Sequence, residues 1–394
     1  MGNPLLKRYF ADLHIHIGST KSGRPVKITA AKNLTLTNIL QCAKNEKGLD
    51  IVGVIDCHSP EVLEEIEDLL SAGRLTEMAD GTLSYDGQVS LFPGSEVEIN
   101  DPSALGPVHV LCFLPDLPRM REFSRWLSCR MKNIHLSSQR IHAGGRELQK
   151  QVKRMGGLFI PAHIFTPFKG LFGIGVKRRL DELFDPELID AVELGLSSDT
   201  AMANRLRQLH RYPFLSNSDS HSLQKIAREY QAFRLEEPSF TEFRKALLGN
   251  SGRAILANYG LDPLLGKYYR TTCAHCRMPV DDGTERCPSC GSTEKIKGVA
   301  ERIRELTDAE RGPDRPPYVH QIPLEFIPGI GPKTLKKLLK RFGTEMSILH
   351  EASDAELEEV LPKVLAERIL LAREGQLRVE AGGGGRYGKL SFDG

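Results

Sequence analysis

What this sequence has little of narrows the field before any motif is read. It holds one Trp and no uninterrupted apolar run close to the roughly 20 residues of a membrane helix, so no membrane partner is expected. Neither sign of charge prevails: 53 Lys and Arg against 51 Asp and Glu leave a net charge of +2, which excludes a strongly basic nucleic-acid coat protein. Cysteine is sparse. Four of the eight form two Cys-x-x-Cys pairs within 18 residues, and the other four (Cys42, Cys57, Cys112, Cys129) are scattered. That distribution excludes a secreted disulfide framework and indicates a metal site plus buried thiols in a reducing compartment. The opening MGNPLLKRYF has no signal-peptide apolar core, and Leu6 stands where a myristoylation motif needs Ser or Thr. No P-loop, no G-x-G-x-x-G after a strand and no Ser-His-Asp signature is present, so Walker-type nucleotide hydrolysis is not expected. A cytoplasmic protein is.

What is present is a rhythm of short apolar runs: YFADLHIHI, LDIVGVIDCH, VSLFPGSEVEI, VHVLCFL, GLFIPAHIF, LIDAVELGL and YPFLSNSDSH. Several are separated by helix-like stretches such as 36–47, 61–73, 177–184 and 200–210. Strands alternating with helices predict a parallel α/β architecture. Each run carries His, Asp or Glu at or near an end, and in a βα-barrel the C-terminal strand ends converge on the active-site face. A barrel of about seven strands is therefore expected over residues 1–260. Within it, residues 119–155 carry ten Lys or Arg against two Glu, either as a solvated helix pair or as a phosphate-facing surface. Residues 261–300 change character around their clustered cysteines. A polar, Pro-rich linker (301–317), a helical unit (318–380) and a Gly-rich tail (381–394) follow, and Tyr387 and Phe392 of the tail are candidates to dock on the barrel.

The polar strand ends carry the chemistry. His14 and His16 lie two apart on a strand and share a face, opposite Leu13, Ile15 and Ile17. Asp56 with His58, and Asp219 with His221, repeat that spacing, and Glu96, His109, His163 and Glu193 add to them. Six of the twelve histidines are gathered here. Burying so many imidazoles and carboxylates without a compensating cation costs several kcal/mol. Divalent metal compensates, and neutral imidazole with carboxylate suits Zn, Mn or Fe, with Mg a further candidate.

The order His-x-His, Asp/His, Glu, His, His, Asp-x-His resembles the PHP domain, named for polymerase and histidinol phosphatase, over roughly residues 8–260. The resemblance implies a distorted (βα)7 barrel with two to three divalent metals. His14, His16, Glu96 and Asp219 would hold one. Glu96 would bridge to another bound by His109 and His163, and His58 and His221 would hold a third. His14, His16, Glu96, Asp219 and His221 are the catalytic candidates. Where the family often has His or Asp, about six residues after the His-x-His pair, this chain has Ser22. Cys57 separates the usual Asp-His, which leaves open whether Asp56, His58 or both are ligands. Glu193 is either a ligand or an anchor beneath the site. Clustered divalent ions favour hydrolysis of phosphate esters.

Downstream, CAHCRMPVDDGTERCPSCG sets Cys273, Cys276, Cys287 and Cys290 at the spacing of a closed structural zinc site. LEFIPGIGPKTLKKLLKRFG (324–343) resembles a helix-hairpin-helix element, with Gly329-Ile330-Gly331 joining two helices so that backbone N–H groups approach a DNA phosphate. Lys333, Lys336, Lys337, Lys340 and Arg341 add charge that grips the backbone without reading sequence, and LPKVLAERILLAR (361–373) is a candidate second hairpin. With DLHIH, IDCHSP, LSSQRI, PAHIFTP and SDSH, the whole chain resembles the endonuclease Q family. That resemblance implies nicking of DNA on the 5′ side of deaminated bases (uracil, hypoxanthine, xanthine) and abasic sites, by a monomeric, nucleoid-associated repair enzyme. LSSQR (136–140), with Arg140, and FTPFKGLFG (165–173) are the candidate strand or base contacts. The alternatives are a PHP-type phosphomonoesterase, which leaves residues 261–380 without work, and a non-catalytic DNA-binding adaptor.

Overall fold

The computed structural model describes residues 5–281, 283–376, 378–383 and 385–391. Each of the seven apolar runs contains a strand: β1 (Lys7–Ile15), β2 (Ile51–Val54), β3 (Val89–Ile99), β4 (Val108–Phe113), β5 (Leu158–Pro161), β6 (Val192–Glu193) and β7 (Phe214–Leu215). Strands β2 to β7 are buried along their whole length, which is why they read as near-continuous apolar runs.

Their hydrogen bonds return to the start. β1 pairs with β2 and β2 with β3 in parallel, whereas β4 runs antiparallel to both β3 and β5. The amides of Asp190 and Ile164 donate to Phe159 and Glu193 carbonyls (3.1 and 3.0 Å), linking β5 to β6. β6 and β7 are parallel, and the Ser220 amide donates to the His14 carbonyl at 3.0 Å while the His16 amide donates to the Ser220 carbonyl at 3.1 Å, which closes the ring on β1. One apolar cluster draws on every part of this ring: Leu13, Ile51, Phe92, Leu111, Ile160, Ala191 and Leu215, with Phe240 and Phe243 of a covering helix.

Two expectations are corrected. The sheet is not wholly parallel: His109 stands at the first end of β4, and because β4 runs against its neighbours that end shares a face with their last ends. Leu13 does not form one row with Ile15 and Ile17 either. The β1–β2 register shifts between Asp12 and Ile15, so Leu13 packs in the ring and the other two join a different cluster.

Helices cover the outside: α1 (Leu36–Cys42), α2 (Pro60–Ser71), α3 (Leu117–Ser128) and α4 (Gly145–Arg154). Proline in the first turn starts α2 and α3, and the Asp116 carboxylate accepts from the Arg119 amide at the N-terminus of α3. Stretches 177–184 and 200–210, expected as helices, hold only the turns Leu180–Glu182, Thr200–Ala203 and Arg207–Leu209. Asp185 precedes Pro186, which disfavours helical geometry, and Leu206 is extended at φ −106°.

Beyond the ring, β1 also pairs antiparallel with β8 (Tyr230–Leu235), followed by α5 (Phe240–Leu247) and β9 (Ala254–Gly260), which pairs with β8. Thr272–Cys273 and Lys295–Ile296 form the small ladder of the cysteine-rich segment. α6 (Val299–Leu306) runs into the stretch expected as linker, with Val299, Ile303 and Leu306 buried. β10 (Tyr318–His320) adds in parallel to β9, so the C-terminal unit is stitched to the main sheet. It continues as α7 (Pro332–Phe342), α8 (Glu345–His350), α9 (Asp354–Val360) and α10 (Lys363–Arg373). The buried Lys47–Glu345 pair, 2.8 Å, joins it to the segment after α1. None of the described helices is long and apolar enough to cross a membrane.

Candidate metal centre

β1 delivers His14 and His16 to one end of the ring, fully buried. Nδ1 of His14 lies 2.9 Å from Glu193 Oε1, and Nδ1 of His16 lies 3.1 Å from Asp56 Oδ2. A carboxylate behind Nδ1 holds the proton there, leaving Nε2 as a lone pair aimed forward. Both Nε2 atoms are buried without a hydrogen-bond partner. Nε2 of His14 is 3.5 Å from Glu96 Oε1 and 3.4 Å from Asp219 Oδ1, and Nε2 of His16 is 3.6 Å from Glu96 Oε2 and 3.5 Å from Asp219 Oδ1. Two orphaned lone pairs facing two carboxylates are the donor set of a divalent cation.

Glu96 also reaches the other way. Its Oε1 is 2.8 Å from His109 Nδ1 and 3.3 Å from His163 Nε2. Three groups of potential ligand atoms, each within 4.8 Å, therefore adjoin: His14, His16 and Glu96; His16, Asp219 and His221; Glu96, His109 and His163. Glu96 and His16 are shared between groups. His163 and Asp219 hold φ of 30° and 45°, a left-handed conformation that non-glycine residues adopt at a cost of order 1–3 kcal/mol. Gly195 backs this arrangement: a Cβ there would lie 2.8 Å from the His163 Cβ.

The charges suit a cation. Burial alone would raise the carboxyl pKa values, but His109 and Lys27 hold Glu96 well below its ordinary value. A proton on His14, which Glu193 and Asp219 stabilise against burial, does the same for Asp219; a divalent ion takes that proton's place and leaves Nε2 as the lone pair. Asp56 is brought down to about 2 against burial, chiefly by His16. Burial drives His221 down to about 4, so its imidazole is neutral, the form that ligates.

Three sequence candidates stand elsewhere. His58 is turned away: Nδ1 is 2.8 Å from Ser95 Oγ and Nε2 is 3.2 Å from the Leu136 carbonyl, so both ring nitrogens are engaged. Asp56 lies behind His16, where it also accepts from the Ile17 amide at 2.7 Å. Glu193 lies behind His14 and accepts from Asn217 Nδ2 (2.7 Å) and the His163 amide (2.8 Å). Of the two roles the sequence left open for Glu193, its position is that of the anchor beneath the site, and what it anchors is His14. Ser22 is exposed and pairs with Thr20.

Four neighbours escaped the sequence reading as individuals. Lys27 lies 3.4 Å from Glu96 and 2.6 Å from Ser138, Ser138 donates to Glu96, and Ser137 Oγ is 3.1 Å from His16 Nδ1. Glu98, two residues after Glu96 on the same strand, takes Arg140 at 2.7 Å and also Lys169. The Glu96-x-Glu98 spacing was a signal in plain view; Lys27 offered none. The centre opens into a cavity of about 630 Å³ whose wall includes Lys27, Lys169, Lys225, Arg228 and Lys267.

No protein-family model matches the chain. It is 56% identical over 386 residues to the uncharacterized protein YqxK of Bacillus subtilis (strain 168), covering 98% of this chain and 100% of the other. Its fold superposes with a TM-score of 0.84 on the lesion-specific endonuclease PfuEndoQ from Pyrococcus furiosus, 33% identical, over 98% of this chain and 95% of that one. The TM-score is again 0.84, at 32% identity and with 98% and 97% covered, for an endonuclease Q in complex with a 27-mer duplex bearing an abasic lesion at the active site. The chain belongs to the endonuclease Q family.

Outside the ring, this endonuclease Q homologue gathers Cys273, Cys276, Cys287 and Cys290. Sγ of Cys273 and Cys290, and of Cys276 and Cys287, lie 3.5 Å apart. Four sulfurs about 2.3 Å from one zinc are spaced by about 3.8 Å, so the cluster is sized for that ion. Amides of Cys276 and His275 draw the Cys273 thiol down to about 6, toward thiolate.

Gly329, at φ 95°, and Gly331 are exposed just before α7, although the element ahead of them is a single turn, Leu324–Phe326, rather than a full helix. Lys333, Lys336 and Lys340 are exposed on α7, whereas Lys337 donates to the Val360 carbonyl. In the basic segment, Arg119, Arg121, Arg130, Arg140, Lys153 and Arg154 each pair with a nearby acid. That favours the solvated helix pair over a phosphate-facing surface.

Proposed function

We propose that this protein is a DNA repair endonuclease that hydrolyses the phosphodiester 5′ to deaminated bases and abasic sites. The observation that carries the reading is the pair of orphaned Nε2 atoms on His14 and His16, fixed from behind by Glu193 and Asp56 and facing Glu96 and Asp219. The ring is then a distorted (βα)7 barrel of PHP type. His14, His16, Glu96, His109, His163, Asp219 and His221 would hold two to three divalent ions, and the four cysteines a structural zinc.

When bound, such ions supply Lewis-acid activation of water and charge neutralisation at phosphorus. The chain's own residues do the rest. Glu193 and Asp56 lock the imidazole tautomers and rotamers. Lys27, Lys225, Arg228 and Lys267 give the cavity a positive wall that draws in a phosphodiester. Gly329, Gly331, Lys333 and Lys336 grip the backbone away from the scissile bond, as a helix-hairpin-helix does, while Lys337 is engaged with Val360 and Arg140 with Glu98. A nucleotide whose base is mispaired or missing is extruded at low cost, which fits the abasic duplex bound by the endonuclease Q relative.

The test is a panel of labelled duplexes bearing uracil, hypoxanthine, xanthine, an abasic site or no lesion, incubated with Mg²⁺ or Mn²⁺. Lesion-dependent nicks that a chelator abolishes are expected. His14→Ala should abolish cleavage and keep DNA binding. Turnover of a phosphomonoester with all strands intact would install the phosphatase instead, and binding without any hydrolysis the adaptor.

A further inference from the structure

Arg228, in the cavity wall, spends two arms of its guanidinium on backbone beside the metal centre. Its Nε donates to the Ser218 carbonyl at 2.7 Å and its Nη2 to the Asp219 carbonyl at 3.2 Å. These are the residues whose backbone turns sharply, Asp219 holding φ at 45° while its carboxylate faces His14 and His16. A strained turn keeps its shape only when its surroundings over-determine it, and Arg228 is part of that restraint. The third arm of Arg228, Nη1, donates to the Tyr387 hydroxyl at 2.7 Å.

Tyr387 belongs to the C-terminal tail, far away in sequence, and the tail is seated rather than loose. Gly382, Gly388 and Gly385 donate their amides to the carbonyls of Leu264 (2.6 Å), Leu265 (3.0 Å) and Lys267 (3.1 Å). The glycines are needed for this: a Cβ on Gly382 would lie 2.6 Å from the Gly388 nitrogen. Lys267 sits over the Tyr387 ring at 4.6 Å, and the Phe326 ring, just ahead of the Gly329 turn, is 6.3 Å away. One tyrosine thus touches the ring, the neck of the cysteine-rich segment and the approach to α7, and it lines the cavity beside the metal centre.

We propose that Tyr387 is a positioning residue of the active site: through Arg228 it fixes the Ser218–Asp219 turn, so that the tail sets the aim of the Asp219 carboxylate. The proposal rests on the metal-centre reading above. It makes the Gly-rich tail a working part of the enzyme, and it ties the seating of the segment before α7 to the geometry at the scissile bond.

The test compares the full-length protein with Tyr387→Phe, which keeps the ring and loses only the hydroxyl, by Mn²⁺ titration of metal-stripped protein and by steady-state cleavage of an abasic duplex. Loss of one hydrogen bond that acts on the turn only through Arg228 should weaken Mn²⁺ binding and lower kcat by roughly fivefold, with KM unchanged. Arg228→Ala should do more, and adding Tyr387→Phe to it should change nothing further, since the path is already cut. If Arg228→Ala does not fold, Arg228→Lys takes its place in the cycle. Wild-type values for Tyr387→Phe, additivity with the Arg228 variant, or a rise in KM alone (which would put the ring directly on the strand) overturn the proposal. A wild-type protein that cuts none of the lesion duplexes defeats the nuclease reading instead, and the Mn²⁺ comparison still judges Tyr387.

Discussion

At the scale of residues, the division of labour among the buried acids is the main result. Glu96 and Asp219 face the orphaned imidazole nitrogens, whereas Asp56 and Glu193 stand behind the rings. Glu193→Gln should therefore leave the fold intact and weaken divalent-ion binding by about 10- to 100-fold, measurable by Mn²⁺ titration, because removing such a partner loosens the tautomer and the aim of His14. The sequence showed that these residues belong together, but strand spacing places a side chain on a face and says nothing of its depth, so front and back were not distinguishable. A different acid ties stability to pH. Glu229 is fully buried, and desolvation raises its pKa from 4.5 to about 8. Below pH 4.5 it is neutral folded or unfolded. Between pH 4.5 and 8 only the unfolded chain releases the proton, so stability is lost as pH rises, and above pH 8 the penalty is constant. In thermal melts Glu229→Gln should gain on wild type progressively between pH 5 and 8; a gap independent of pH would refute this account.

At the scale of elements, the seven strands were legible because burial, complete along β2 to β7, makes each run mainly apolar, with polar residues few enough to stand out. Their directions were not. An apolar run reads alike in either sense, so only the pairing revealed that β4 is reversed and that His109 reaches the common face from the opposite end. The short turns within 177–210 were missed for a related reason: helix-like composition does not count hydrogen bonds, and Pro186 and the extended Leu206 interrupt them. The role of α7 can be measured directly. Lys333→Ala with Lys336→Ala should weaken binding to damaged and undamaged duplexes alike, and should flatten the slope of log affinity against log salt by up to about two, since each phosphate contact contributes about 0.9. An unchanged slope would remove α7 from the DNA interface.

At the scale of the whole molecule, three units converge on one cavity. The ring supplies the ligands, the neck of the cysteine-rich segment supplies Lys267 and Tyr268, and the tail supplies Tyr387. Tail docking was half legible, since an isolated Tyr in a Gly-rich stretch has few other uses; Phe392 lies outside the described residues. The cysteine cluster holds its segment together around a core too small to fold alone, so Cys287→Ser should lower the melting temperature and remove sulfur-bound zinc while the histidine–carboxylate centre retains its ions. The account depends most on that centre being a place where cations sit. Elemental analysis of the dialysed protein, compared with His16→Ala combined with Glu96→Ala, the two residues shared between the ligand groups, tests this most directly. More than one divalent ion per chain in the wild type, falling to the single sulfur-bound zinc in the variant, is the predicted result; one ion per chain in both would contradict it.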